Sequence, residues 1–244
     1  MINFAHRGAS GDYPENTLVA FKEGIRLGAL GIELDVHKTK DNKLVVIHDE
    51  DVERTYKGKG LVQDFTLSEL KKLKTRKVLF EGVEGTGIPT LEEVLKLIKD
   101  SNITLNIELK TDEIEYEGIE EDVIKMVNNY GIKERIIISS FNPESIRRCK
   151  ELDKEIKTGL LYYREIENVI EFAKKLQVDA LHLDLALVSE NLIKEAHKNN
   201  LQVNVYTVDN PGDMRKLMVA NVDGIFTNYP SLLKEVIEVD INLQ

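Results

Sequence analysis

Two short patterns carry charges where an otherwise apolar run would not need them. Glu33-Leu34-Asp35 and Glu108-Leu109-Lys110 each place two charged side chains two residues apart. In an extended strand such residues share a face, so Glu33 and Asp35 point together, as do Glu108 and Lys110. Four charges facing the inside of a sheet structure are costly to bury unpaired. Three converging carboxylates call for a positive partner, and an oxygen-preferring divalent cation supplies it. A plain ion-pair network competes for Glu33 and Asp35 alone; Glu108, from a further strand, favours the cation.

Histidines add proton chemistry. His6 ends the first apolar run, and His48 ends a run shortly after Asp35. Two histidines beside a carboxylate cage meet the requirements of a general acid and a general base, with either order open. Arg7 offers a planar fork suited to phosphate, and Gly8 permits close backbone approach. Asn16, in Pro14-Glu15-Asn16-Thr17, serves equally as a helix cap or a ligand contact. His37 is expected to turn away from Asp35 and stays outside the catalytic set. His182 reads as structural and His197 as solvated on an outer helix. Phe141 and Tyr162 end strands at the mouth, where pocket lining and ordinary packing are equally served.

The elements that must position these residues are nine short strand-like runs: Ile2–His6, Gly31–Val36, Leu44–His48, Leu105–Leu109, Ile136–Ser139, Thr158–Leu161, Ala180–Leu183, Val203–Tyr206 and Gly224–Thr227. Helical stretches separate most of them. Thr90 with Glu93, and Thr66 with Glu69, form capping boxes. Pro143, Pro211 and Pro230 sit at first helical positions, and Gly28 and Gly131 stop helices. Lys40-Asp41-Asn42-Lys43 leaves no room for a helix and reads as a hairpin turn, so the third run returns antiparallel to the second. A turn centred on Asp41-Asn42 pairs residue 40 with 43 and brings His48 opposite Asp35, within a residue or two. Setting that return arm aside leaves eight βα units, which predicts a TIM barrel with active-site residues at the C-terminal strand ends. Residues from about 50 to 87 form a small insertion over the barrel mouth, and the whole chain, 1–244, is one domain. The acidic stretch Asp112–Asp122 reads as a solvated loop and first helical turn.

Composition narrows the function. Net charge is −10, from 43 acidic against 33 basic residues, which disfavours general binding to nucleic acid or acidic membranes. The single Cys149 makes no internal disulfide and reads as a structural thiol. No apolar run approaches the ~18 residues of a membrane span. Met1–Gly8 shows neither a basic nor an apolar leader region, so the expected location is the cytoplasm.

His6-Arg7-Gly8, Pro14-Glu15-Asn16-Thr17, Glu33-Leu34-Asp35-Val36, His48-Asp49, Glu108-Leu109-Lys110 and Thr227-Asn228-Tyr229-Pro230, in that order, resemble the glycerophosphodiester phosphodiesterase family. The resemblance spans nearly the whole chain. It implies a TIM barrel with a small insertion after the second strand. It also implies hydrolysis of glycerophosphodiesters, such as glycerophosphocholine or glycerophosphoethanolamine, to glycerol 3-phosphate and an alcohol. The cofactor implied is one divalent cation, Ca2+ or Mg2+. By matching position, Glu33, Asp35 and Glu108 are the implied metal ligands, His6 and His48 the acid/base pair, and Arg7 and Lys110 the phosphate contacts. Tyr206 stands where many relatives carry Trp and can pack against glycerol with less apolar area. Asn228 stands where some carry Asp. The attacking group is water or the glycerol 2-hydroxyl. A lyase releasing a cyclic phosphate would use the same histidines, and an inactive phosphate-binding module would keep the pocket without turnover. Glycoside hydrolysis would need neither the histidines nor Arg7 and Lys110. The expected partner is a small-molecule substrate, with no nucleic acid and no stable membrane insertion.

Overall fold

Apolar runs closed by turn residues become nine strands in a computed structural model that describes residues 1–242. They are β1 (Ile2–His6), β2 (Gly31–Lys38), β3 (Leu44–Val46), β4 (Thr104–Leu109), β5 (Ile136–Ser140), β6 (Lys157–Tyr162), β7 (Ala180–Asp184), β8 (Gln202–Tyr206) and β9 (Gly224–Thr227). Eight are parallel and run around a ring in the order β1-β9-β8-β7-β6-β5-β4-β2, which closes through β2 against β1. Helices α1 (Leu18–Arg26), α2 (Leu67–Leu70), α3 (Leu91–Ile98), α4 (Ile119–Tyr130), α5 (Pro143–Leu152), α6 (Val169–Leu176), α7 (Glu190–Lys198), α8 (Pro211–Val219) and α9 (Pro230–Asn242) complete the chain. The fold is the expected (β/α)8 barrel.

Two large apolar clusters hold the helices to the strands. Ile32, Leu34 and Val36 of β2 join Leu91, Val94, Leu95 and Ile98 of α3 in one of them. Those three β2 residues alternate with Glu33 and Asp35, so the same pleat that buries the apolar set turns the carboxylates inward. Capping fixes the helix starts: Thr90 and Thr66 make the predicted capping boxes, and Asn142 and Asn210 cap the prolines that open α5 and α8.

Strand register assembles the site. His6 lies opposite Glu33 across β1–β2, and Asp35 lies opposite Glu108 across β2–β4. Past the barrel rim β2 outruns β1, and β3 pairs with Val36, His37 and Lys38. The hairpin register differs by one residue from the expectation. Thr39 N–H bonds Lys43 O and Asn42 N–H bonds Thr39 O, so the loop has three residues, with Asn42 in the left-handed region at φ 55°. Three-residue loops of this kind end on a left-handed residue, which Asn tolerates. Asp35 therefore faces Ile47, whose N–H it receives at 3.1 Å, and His48 stands one residue beyond the ladder.

The insertion has its own apolar cluster, in which Val52, Tyr56, Val62 and Leu70 pack with Val45 of β3 and Ile47 just after it. Cys149 is buried in α5, where burial pushes its thiol up to about 12 and leaves it inert. Among the described residues, no helix is long and apolar enough to cross a membrane.

Candidate active site

Glu33, Asp35 and Glu108 converge at the C-terminal strand ends, each offering an oxygen within 4.8 Å of the others. They are 4%, 0% and 8% exposed, so water screens them little. The protein holds one side of this cage. Arg7 N–H donates to Glu33 Oε2 at 2.8 Å, Asn16 Nδ2 donates to Asp35 Oδ2 at 2.7 Å, and Lys110 Nζ donates to Glu108 Oε1 at 3.0 Å. Glu33 Oε1 and Asp35 Oδ1 are buried with no hydrogen-bond partner among the described residues. A bare buried carboxylate oxygen is expensive, and two aimed into one cage, with a third carboxylate alongside, fit a hard divalent cation.

The charges adjust accordingly. Burial, with Asp35 and Glu108 nearby, holds Glu33 well above the usual carboxylate range. Burial and Asp35 likewise push Glu108 up to about 7, although Lys110 opposes them. Burial also acts against ionised Asp35, but Arg7, His48, Lys110 and the Asn16 amide outweigh it and hold this carboxyl below its ordinary value. Burial alone would discharge Lys110, yet Glu108, Asp35 and Asp112 keep it charged.

Both histidines line a cavity of about 410 Å³ beside the cage, whose far wall is Phe141, Leu161, Tyr206 and Phe226. Each has its Nδ1 engaged. His6 Nδ1 lies 2.8 Å from Asn228 Oδ1, while Asn228 gives its Nδ2 and backbone N–H to Asp209. An amide oxygen only accepts, so Nδ1 carries the hydrogen and Nε2 keeps a lone pair. Burial, then the neighbouring Arg7 charge, lowers His6 to about 4 despite the Asn228 bond. His48 Nδ1 lies 2.7 Å from Asp49 Oδ1. Arg54, from the insertion, bridges the two supporting carboxylates: its Nε meets Asp49 Oδ2 at 2.6 Å, and its Nη1 and Nη2 meet Glu15 at 2.6 and 2.8 Å. Glu15 in turn takes Arg7 Nη1 at 3.0 Å. Gly8 makes the turn after His6 possible: at φ 81° a Cβ there would lie 2.6 Å from the Ala20 backbone.

The chain matches the glycerophosphoryl diester phosphodiesterase family over residues 6–232. It belongs to that family. Among similar proteins, a glycerophosphodiester phosphodiesterase from Caldanaerobacter subterraneus subsp. tengcongensis is 45% identical over 94% of each chain. A glycerophosphodiester phosphodiesterase from Thermotoga maritima superposes at a TM-score of 0.78, with 29% identity, over 100% of this chain and 99% of that one. A phosphodiesterase from Oleispira antarctica, solved with the product sn-glycerol-3-phosphate, superposes at 0.85 with 28% identity over 96% of each.

In this family member every site residue chosen from the sequence lies in or beside the one cavity. Glu33, Glu108, His6, His48, Arg7 and Tyr206 line it, and Asp35 and Lys110 pack directly behind through Arg7 and Glu108. Tyr206 presents its ring to the cavity and donates its hydroxyl to Tyr162 O at 2.9 Å; Phe141 meets that ring edge-on. Tyr162 itself lines a separate cavity and His182 is fully buried against Asn204. Three readings need correction, and one open alternative closes. Of the two roles left open for Asn16, capping falls away, since Thr17 caps α1 by accepting from Ala20 N–H and Asn16 holds Asp35. His197 is paired with Asp223 at 2.8 Å. Glu120, within the stretch read as solvated, is buried and accepts the Ser145 hydroxyl. His37 does not turn away: two residues past Asp35 it has the same strand parity, and it is fully buried beside the His48 backbone. Glu15, Asp49, Arg54, Asp209 and the contact of Asn228 with His6 were missed as supports. Asp49 and Glu15 lie in the quoted motifs, but no spacing rule announces that an arginine in the insertion joins them.

Proposed function

We propose that this enzyme hydrolyses glycerophosphodiesters to sn-glycerol 3-phosphate and an alcohol, with His6 and His48 moving the protons and Glu33, Asp35 and Glu108 holding one Ca2+ or Mg2+. One observation carries the reading: two histidines, each with Nδ1 engaged, flank a cage whose buried oxygens Glu33 Oε1 and Asp35 Oδ1 have no partner among the described residues. The product bound to the Oleispira phosphodiesterase supports the substrate class. A cation in the cage supplies Lewis-acid stabilisation of charge on the phosphate.

The chain's own groups do the rest. Arg7 and Lys110 stand beside the cage and contact the phosphate oxygens, favouring the charge that builds as the diester reacts. His6, neutral and with its Nε2 lone pair free, takes the proton from the attacking water. His48, its Nδ1 held at 2.7 Å by Asp49 Oδ1, gives its Nε2 proton to the departing alcohol oxygen as the phosphorus–oxygen bond breaks. The aromatic wall of Phe141 and Tyr206 packs against the glycerol end.

The test is release of glycerol 3-phosphate from glycerophosphocholine after EDTA treatment, then with calcium or magnesium restored. Loss on chelation and recovery with metal supports cage and histidines together. Activity indifferent to chelation removes the cation from the reading. Phosphorus NMR of the product separates hydrolysis from a lyase that stops at a cyclic phosphate.

A further inference from the structure

His37 and Tyr116 are buried polar residues that the reaction above does not use. The strand ladder of β3 ends at Val46, and the last cross-strand bond is from Ile47 N–H to Asp35 O. The carbonyl of His48, a half-buried residue, therefore lies past the ladder and takes its donor from elsewhere. His37 Nε2 supplies it at 3.1 Å. A carbonyl oxygen cannot donate, so this nitrogen carries the hydrogen whatever the state of the rest of the ring. On the other side of the ring, Nδ1 lies 2.9 Å from the Tyr116 hydroxyl. Tyr116 comes from the loop before α4, is 5% exposed, and stands edge-on to His37 with ring centroids 5.6 Å apart. The two rings wedge between β2 and that loop, so the imidazole cannot swing away from the carbonyl without emptying a packed space.

We propose that His37, braced by Tyr116, is a positioning residue that fixes the backbone of His48 and thereby aims its ring at the substrate. The Asp49 contact sets the ring's rotation about its own bonds; His37 sets the main chain from which the ring hangs. This assignment rests on the reading of His48 as a proton donor. It also gives a use to Tyr116, the buried aromatic of the loop between β4 and α4.

The experiment compares His37→Leu, His37→Gln and Tyr116→Phe, each alone and in a His48→Ala background, by kcat and KM on glycerophosphocholine and by calcium titration calorimetry. Misplacing a catalytic group by an ångström costs up to ~10²-fold, so His37→Leu is expected to lower kcat roughly 10- to 100-fold, with KM and calcium affinity little changed. Glutamine, whose amide can still donate, recovers most of that loss, and Tyr116→Phe costs a few-fold. With His48 already replaced, none of the three lowers the residual rate further. An equal loss in both backgrounds, or a parallel loss of calcium affinity, overturns the proposal, because His37 would then act on the fold or the cage. A wild-type kcat in His37→Leu overturns it as well. Should the leucine variant not fold, glutamine and Tyr116→Phe carry the same two-background comparison. Full activity in His48→Ala alone sinks the reading of His48 itself, which is a distinct result.

Discussion

A carboxylate with one oxygen tied down and the other bare is already oriented for a cation before one arrives. Glu33 and Asp35 both have that form, held by the Arg7 amide and the Asn16 side chain. Glu108 shares its oxygen with Lys110, so among the proposed ligands it is the one whose loss can be tested without freeing Arg7. Glu108→Gln keeps the shape and removes the charge. Calorimetric calcium titration should show affinity reduced by at least the roughly 10- to 100-fold typical of losing an outer partner of a metal ligand; unchanged affinity takes Glu108 off the ligand set. His48→Ala removes proton transfer and leaves the cage whole. Its kcat should fall by roughly 10²–10⁴ with calcium binding intact, and near-normal turnover would falsify the proton-donor role. At this scale the sequence was informative for the charged groups in and beside the cavity, because a charge inside an apolar run is conspicuous. It was uninformative for their supports. Asn228 meets His6 across 222 positions, and no local pattern encodes that contact.

Among the elements, the barrel strands were legible because each is a short apolar run with a clear turn after it, and strand pairing then follows from closure. The hairpin was legible in kind but not in register: Asn42 adopts a left-handed conformation that lengthens the loop to three residues, and four turn-forming residues in a row do not say which pair is central. The insertion was the least legible element, since α2 is only four residues long. Yet it contributes Arg54, whose fork spans Asp49, the partner of His48, and Glu15, the partner of Arg7. That bridge ties two arms of the site, from β1 and from the end of the hairpin, to the insertion. Arg54→Ala should therefore lower kcat roughly 10- to 100-fold through misalignment while calcium affinity holds. Arg54→Lys should rescue little, because a single ammonium cannot span both carboxylates as a guanidinium does. Wild-type kcat in the alanine variant would show that the insertion does not shape the site.

Over the whole molecule, buried histidines and buried carboxylates respond to protons with opposite signs, and a cation in the proposed cage would decide which dominates. Burial first of all lowers His6 and His37 to about 4 and His182 to about 3, against an ordinary 6.5. Between pH 6.5 and 4 the unfolded chain takes up protons at these positions that the folded chain refuses. Each histidine thus removes stability as pH falls, at about 1.4 kcal/mol per pH unit. Glu33 and Glu108 act the other way. Their folded values are raised, Glu108 to about 7, so the folded chain binds protons that the unfolded carboxylates release until about 4.5. With EDTA the two effects oppose each other, and thermal stability should change little between pH 7 and 4.5. With saturating calcium the cage is held ionised, the carboxylate contribution disappears, and the histidines act unopposed. Stability should then fall steadily below pH 6.5, and the rise in Tm on adding calcium should be largest above pH 7 and shrink as the pH drops, because cation and protons compete for the same oxygens. Melts at pH 7.5, 6.5, 5.5 and 4.5, with calcium and with EDTA, measure both curves. A calcium-induced shift that grows toward acid pH would mean that Glu33 and Glu108 do not take up those protons, and would remove the cage as the point where metal and proton meet.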